Sequence, residues 1–295
     1  MPKLSVIINP IAGTKDKSQI PDLVRKTLAQ HWDVEILNTQ HRGHATELAR
    51  EAAQRGVEAV LAVGGDGTVN ETATGLVGTD TALAILPMGS GNGLARHLQI
   101  PMAQLAAIEH LKTAAVRTID SCQMNGQAFF CTAGMGFDAH IAYLFAQQHT
   151  RGLSTYVRTT LNEFFSYKPQ RYTLHFDNQT QVREAFLITF ANANQFGNNA
   201  FIAPLADIQD GKMDVCVMSQ FPLYQAAGIG LRMFAKNIHR SNFMETWKSG
   251  GVVVEREQEG SVHLDGEPVQ MGKTLELSMK PQSLKVLVSP KADFV

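Results

Sequence analysis

Cysteine is scarce in this chain: Cys122, Cys131 and Cys216 are three among 295 residues, and no two form a Cys-x-x-Cys pair. One is left over in any pairing scheme. That argues against a disulfide scaffold and a structural zinc site, and for buried, inert thiols in a reducing compartment. Long apolar runs are missing too, since no window approaches the roughly 18 residues of a membrane span. The start, Met1-Pro2-Lys3, lacks the layout of a signal peptide. The expectation is a soluble, cytoplasmic protein that meets any membrane from the water side. There is no basic surplus either: the formal net charge is −1 and the pI about 6.8. Nucleic acid is therefore set aside as a main partner, because such proteins usually carry excess positive charge.

What is present is the material of a folded protein. With 44% hydrophobic and 18% charged residues over 295 positions, the chain has a proper core and the length of two ordinary domains. The first 120 residues alternate short apolar runs with helical patterns, which predicts an open, parallel α/β sheet. Strands are expected at Leu4 to Ile8, Val34 to Leu37, Ala59 to Val63 and Ala82 to Leu86. Helices are expected from about Pro21 to Gln30 and around Ala45, Leu48, Ala49, Ala52 and Ala53. After about Asp120 the pattern changes to strand-like runs separated by turns, at 171–176, 186–190, 213–218, 252–255 and 284–288. Two helices interrupt them, Tyr156 to Phe165 and Leu223 to Lys236. This predicts a mostly antiparallel β domain over residues 121–281, after an α/β domain over 1–120 to which about 282–295 returns.

Glycine-rich loops stand at the ends of three of the first strands. Gly64-Gly65-Asp66-Gly67-Thr68 follows the third strand and leads to a helix opening near Val69. Its glycines let backbone amides approach phosphate oxygens, and the helix offers its positive end. A carboxylate in such a loop repels bare phosphate, so Asp66 points to magnesium or to proton removal. Asn9-Pro10-Ile11-Ala12-Gly13, with Lys15, follows the first strand, and Gly89-Ser90-Gly91-Asn92-Gly93 follows the fourth. Singly, each reads equally well as a plain turn; in a parallel sheet all three share the ligand-binding edge. None matches the Walker or dinucleotide pattern. Downstream, Asp207-Ile208-Gln209-Asp210-Gly211-Lys212 offers hard oxygens suited to magnesium, or a solvated turn. His263-Leu264-Asp265-Gly266-Glu267 reads first as a hairpin, with Glu267 as a general base in the other reading.

The set Asn9-Pro10-x-Ala12-Gly13, Gly64-Gly65-Asp66-Gly67-Thr68-x-Asn70-Glu71, Gly89-Ser90-Gly91-Asn92, Asp210-Gly211-Lys212 and Asp265-Gly266-Glu267 resembles the diacylglycerol kinase and sphingosine kinase family, in order and spacing across nearly the whole chain. Gly134-Met135-Gly136-Phe137-Asp138-Ala139 and Gly152 to Tyr156 resemble that family's lipid-side region. The resemblance implies a nucleotide domain like that of NAD kinases followed by a β-sandwich-like lipid domain. It implies ATP bound by Asn9, Pro10, Ile11, Ala12, Gly13, Thr39, Gly65, Asp66, Gly67, Thr68, Val69, Asn70, Glu71 and Ser90. Magnesium is then held by Asp210 through its side chain, with Asp207 and Lys212 contributing carbonyls. Glu267 is the implied proton acceptor for a lipid hydroxyl, with Asp66 as its rival or partner. The Gly-Ser-Gly-Asn-Gly form of the third loop is closer to sphingosine kinases than to the Gly-Thr-x-Asn-Asp of many bacterial diacylglycerol kinases. One nucleotide loop does not decide the lipid class.

An NAD kinase is the first rival, disfavoured because no clear Asn-Glu pair follows the fourth strand. A non-catalytic lipid or nucleotide sensor is the second, disfavoured by the retention of Asp66 and Glu267. Membrane attachment is expected to be peripheral, through Arg151, Arg158 and Lys168, and to weaken with salt. Arg171, Lys236, His239 and Arg240 extend this set or are solvated surface charge. Phe137 to Phe145, with His140, reads equally as a lipid slot and as a core helix. His44 reads first as an ordinary residue at a helix start. A homodimer is left open.

Overall fold

The structure, a computed structural model, describes residues 1–11, 16–146, 159–160 and 162–294. Ala12, Gly13, Lys15, Arg151, Gly152, Tyr156 and Arg158 therefore lie outside the described residues. The chain divides into two compact units, Met1–Ser121 with Pro281–Val295, and Cys122–Lys280.

In the first unit, β1 (Lys3–Ile8), β2 (Asp33–Asn38), β3 (Ala59–Gly64) and β4 (Ala82–Pro87) pair in the order β2-β1-β3-β4, all parallel. β3 and β4 are buried along their whole length, as strands covered on both faces must be, so they read as unbroken apolar runs. β2 lies at the edge and alternates instead, placing Asp33 and Glu35 toward solvent. Helix α1 (Ile20–Leu28) buries Ile20, Val24 and Leu28, one residue per turn, and carries proline in its first turn where no N–H is needed. α2 (His44–Gln54) buries Ala45, Ala49 and Ala52, and α3 spans Asp66–Leu76. A Cβ added at Gly75 of α3 would lie 2.6 Å from the Thr46 carbonyl. Small side chains thus set the close contact of these two helices. α4 (Gly93–His97) and α5 (Gln104–His110) follow β4.

The second unit is built on two sheets. β5 (Ala115–Met124) and β6 (Gln127–Phe129) lead into it, and β7 (Thr132–Gly136) ends in helix α6 (Phe137–Ala146). β8 (Gln170–Phe176), β9 (Gln179–Ala185), β10 (Leu187–Ala191) and β11 (Met213–Met218) follow, then α7 (Leu223–Phe234). β12 (Met244–Ser249), β13 (Gly251–Arg256), β14 (Gly260–Leu264), β15 (Glu267–Met271) and β16 (Thr274–Val288) complete the chain. One antiparallel sheet has the order β12-β11-β10-β7-β14-β15. In the other, β16 pairs with β13 through Ser278 to Thr274, β13 with β8, and β8 with β9. The final residues of β16 belong to the first unit, where Val286 pairs with Leu83 in parallel.

The period-two alternation of strands sorts the side chains of β10 and β11. Ile188, Phe190, Val215 and Val217 enter the core shared with Leu174, Val254 and Leu275 of the other sheet. Leu187, Ala191, Cys216 and Met218 face the opposite way, onto Phe137 of α6 and Ile229 of α7. The expected α/β domain followed by a β sandwich is the observed architecture. The three cysteines are buried, and burial pushes the Cys216 thiol up to about 12, which leaves it an inert core group.

Some details differ from expectation. α3 opens at Asp66 rather than near Val69, with extended Gly65 as its cap. An acid in the first turn suits the helix dipole. α7 stops at Phe234, and Lys236 just beyond takes a left-handed φ of +56°. β7 was not expected because two of its five residues are glycine, which as a rule weakens strands.

Candidate active site

The C-terminal edge of the parallel sheet gathers the first group of site residues. The Asn9 N–H donates to the Val63 carbonyl at 3.2 Å, and the Thr39 N–H to that of Ile8 at 2.9 Å. Asn9 Nδ2 donates to Thr68 Oγ1 at 3.1 Å, and Asn9 Oδ1 accepts the Ile11 N–H at 3.2 Å. Asn9 therefore pins the end of β1 to the start of α3. Thr39, Thr68 and Val69 are buried and hold the frame, whereas Pro10, Ile11 and Ser90 are exposed on the edge.

The glycine loops touch each other. A Cβ at Gly89 would lie 2.7 Å from the Gly65 Cα, so backbone alone fits there. Asn92, at φ +52°, closes the third loop by accepting the Gly89 N–H at 3.0 Å and donating to its carbonyl at 2.8 Å. Asp66 joins the two loops: Oδ2 accepts the Asn92 N–H at 2.9 Å and Oδ1 that of Gly93 at 2.8 Å. A third role for this acid thus joins magnesium handling and proton removal, and the sequence reading did not contain it. Glu71 also serves the frame. Its carboxylate accepts the N–H groups of Gly43 and Ala45 at 2.9 and 3.3 Å, capping α2. His44 is the first residue of α2, where its Nδ1 accepts the Gln40 N–H at 3.0 Å. Bare glycine backbone at the head of an eleven-residue helix fits nucleotide phosphates.

In the second unit, Asp207 and Asp210 stand in the loop before β11. Each turns its Oδ1 onto the N–H two residues ahead, at Gln209 and Lys212, both at 2.9 Å. Asp210 Oδ2 lies 2.6 Å from Lys248 Nζ, which is 3.7 Å from Asp214 Oδ2. That longer separation is an ion pair without a hydrogen bond. Asp214 is buried, and its Oδ2 has no hydrogen-bond partner. Burial pushes its carboxyl up to about 6; Lys248 opposes the shift, and Asp210 and Asp207 add to it. Acid outnumbers base in this corner, and an orphaned carboxylate oxygen faces it. Such a donor set fits a hard divalent cation. These three acids do not form a cluster within ligating reach among the described residues, so a cation held by Asp210 would take few ligands from the protein. Asp214 and Lys248 escaped the sequence reading because their partnership is a cross-strand pair of β11 and β12.

Glu267 opens β15 opposite Leu264 of β14, with Asp265 at φ +50° and Gly266 at φ +84° between them. Both turn residues are left-handed, as a two-residue hairpin requires. The Asp265 carboxylate accepts the N–H groups of Phe130, Cys131 and Thr132 at 3.0, 2.8 and 3.1 Å. The hairpin tip is thereby fixed. Glu267 itself is exposed, with no hydrogen bond or ion pair among the described residues. Behind it, His263 Nε2 lies 3.2 Å from Asp138 Oδ2, which also accepts from Thr189 Oγ1 at 3.2 Å. A Cβ at Gly134 would meet His263 Nε2 at 2.6 Å. The Gly134-Met135-Gly136-Phe137-Asp138 motif is thus a strand-to-helix turn over a buried acid. Its helix packs Phe137 and Ile141 into the core. Lys168 and Arg171 line a cleft of about 890 Å³ together with Glu163, Glu184 and Arg256, a wall of mixed sign.

Comparison with known proteins places both units in one family. Residues 3–124 match the diacylglycerol kinase catalytic domain, and residues 131–288 match the YegS C-terminal NAD kinase beta sandwich-like domain. The chain belongs to this lipid kinase family. It is 27% identical over 274 residues to the diacylglycerol kinase of Bacillus subtilis, covering 90% of each chain. It is 30% identical over 236 residues to a "Probable lipid kinase YegS-like" of Chromohalobacter salexigens, covering 78% of this chain and 76% of that one. In fold it resembles the crystal structure of a diacylglycerol kinase from Bacillus anthracis, with a TM-score of 0.79 and 23% identity, over 99% of this chain and 98% of that one.

Proposed function

We propose that this protein transfers the γ-phosphoryl group of ATP to the hydroxyl of a lipid, diacylglycerol-like or sphingoid, with Mg²⁺. The observation that carries the reading is Glu267: a carboxylate held at a fixed hairpin tip, exposed, and with no bond among the described residues to satisfy it. A structural turn residue has no need of that anchoring, whereas a general base does.

The chain's own residues divide the work. Backbone amides of Gly65 to Thr68 and the head of α3 bind the phosphates, while Asp66 holds the neighbouring loop in place through Asn92 and Gly93. Ser90 adds an exposed hydroxyl. Asp210, with carbonyls of Asp207 and Lys212, would hold Mg²⁺, and the ion would supply positive charge to offset that of the phosphates. Glu267 takes the proton of the lipid hydroxyl as that oxygen attacks the γ-phosphorus. Phosphoryl transfer asks for positioning and charge neutralisation more than for covalent help, and these residues supply both. Among the described residues no helix is long and apolar enough to cross a membrane, and the route proposed to the lipid is peripheral docking.

Transfer of ³²P from γ-labelled ATP tests the reading. Diacylglycerol, a sphingoid base and NAD are offered separately in detergent, with Mg²⁺ or with EDTA. Mg²⁺-dependent label in a lipid is expected. Label in NAD alone assigns a nucleotide acceptor, and no label at all assigns a sensor; either result overturns the proposal.

A further inference from the structure

Helix α7 is apolar on two sides. Ala226, Ile229 and Met233, spaced by three and four residues, pack inward on the core around Phe186 and Met218. On the outer side Tyr224, Leu231 and Phe234 are 81%, 70% and 62% exposed, with exposed Ala227 and Gly228 completing the stripe. A helix apolar all round is normally buried, and large apolar side chains clustered on a surface mark an interaction face. The charge along this stretch of chain has one sign. No acidic residue occurs between Asp214 and Glu245, while Arg232, Lys236 and Arg240 are all exposed in a chain whose net charge is −1. A Cβ at Gly228 would meet nothing within 4 Å, so packing does not demand glycine there. With twelve residues the helix is about 18 Å long, too short to span a bilayer and suited to lie in its interface.

We propose that α7 is a membrane-docking helix: Tyr224, Leu231 and Phe234 enter the acyl boundary of an anionic bilayer while Arg232, Lys236 and Arg240 contact lipid phosphates. The proposal rests on the lipid kinase reading for its choice of partner. It moves the contact away from Arg151, Arg158 and Lys168 to an element with both apolar and cationic groups. A second copy of the chain is the poorer occupant, because a two-fold pairing of this face sets Arg232 and Lys236 against themselves, and residues 215–244 supply no carboxylate to offset them.

Flotation with vesicles, without nucleotide, tests it on the full chain. Neutral phosphatidylcholine vesicles are compared with vesicles that also contain phosphatidylglycerol. Wild type is expected to float with the anionic vesicles. Gly228→Glu and Leu231→Glu, both on the exposed stripe, are expected to lower that binding by at least about tenfold with unchanged thermal stability. Arg232→Gln with Lys236→Gln is expected to lower anionic binding to the neutral level. Phosphorylation of detergent-dispersed lipid should be the same in all variants, which separates docking from catalysis. If no lipid is phosphorylated but Leu231→Glu still abolishes flotation, docking stands and the kinase reading fails. Wild-type flotation by Leu231→Glu overturns the proposal. So does a wild-type dimer that Leu231→Glu splits in sedimentation velocity, since the face then belongs to a second copy.

Discussion

Asp66 Oδ1 accepts the backbone N–H of Gly93 at 2.8 Å, and through that bond the glycine loop after β3 holds the loop after β4. The second oxygen does the same to Asn92. An acid in this glycine loop therefore has a framework role, because its two oxygens hold two amides of the neighbouring loop. The side chain that stands out most in the sequence does its visible work on the backbone of another loop.

Asp66→Asn replaces one of those acceptors with an NH₂ group facing a donor. Loss of charge-assisted bonds of this kind costs about 1.5–3 kcal/mol. The expected outcome is a folded protein with lowered thermal stability, and kcat/KM for ATP reduced more than tenfold, or about 1.4 kcal/mol. Steady-state kinetics within tenfold of wild type would remove Asp66 from the site.

Glu267→Gln is the complementary test, since Glu267 is exposed and has no described partner to lose. Unfolding should be unchanged. As the general base, the carboxylate accounts for about 10²–10⁴ in kcat at constant KM for ATP. Equal kcat in the two proteins returns Glu267 to the surface.

The fold was legible where physics is local. Buried parallel strands show as apolar runs in β3 and β4, and Ala45, Ala49 and Ala52 already share a helical face in the sequence. The strand-end loops followed from the same reading. Illegible were the interactions that depend on distant pairing: Asp214 with Lys248 across β11 and β12, and Asp138 with His263, 125 positions apart. Asp265 was visible only as half of a turn dipeptide; its three amide partners come from residues 130–132. Glycine misled at β7, where Gly134 is required by the Asp138 carboxylate and the His263 ring packed on it and not by a loop.

Asp265→Ala leaves those three N–H groups without their acceptor. Unsatisfied buried donors cost about 1–3 kcal/mol each, and water reaching the hairpin tip offsets part of it. A loss of about 2–4 kcal/mol in denaturant unfolding is expected, and catalysis should fall along with it because Glu267 loses its fixed position. Asp265→Asn, which keeps one acceptor oxygen, should lie between Ala and wild type. Stability equal to wild type in both variants would show that the three bonds do not anchor the tip.

Lys248 gives the prediction that isolates the metal site from turnover. Its ammonium lies 2.6 Å from Asp210 and 3.7 Å from the buried Asp214, and so occupies the corner assigned to Mg²⁺. Lys248→Met removes the only cation that these acids face among the described ion pairs and leaves like charges facing each other. Because Lys248 and Asp210 are partly exposed, the loss is that of a screened pair, about 1–2 kcal/mol without metal. A divalent cation restores the missing charge, so the rise in melting temperature on adding Mg²⁺ should be larger in Lys248→Met than in wild type. Asp210→Asn should abolish that rise, because it removes the one side chain proposed to ligate the ion. Melting curves with Mg²⁺ and with EDTA decide the matter without substrate. Indifference of Lys248→Met to Mg²⁺ would place the metal elsewhere, on the nucleotide phosphates alone.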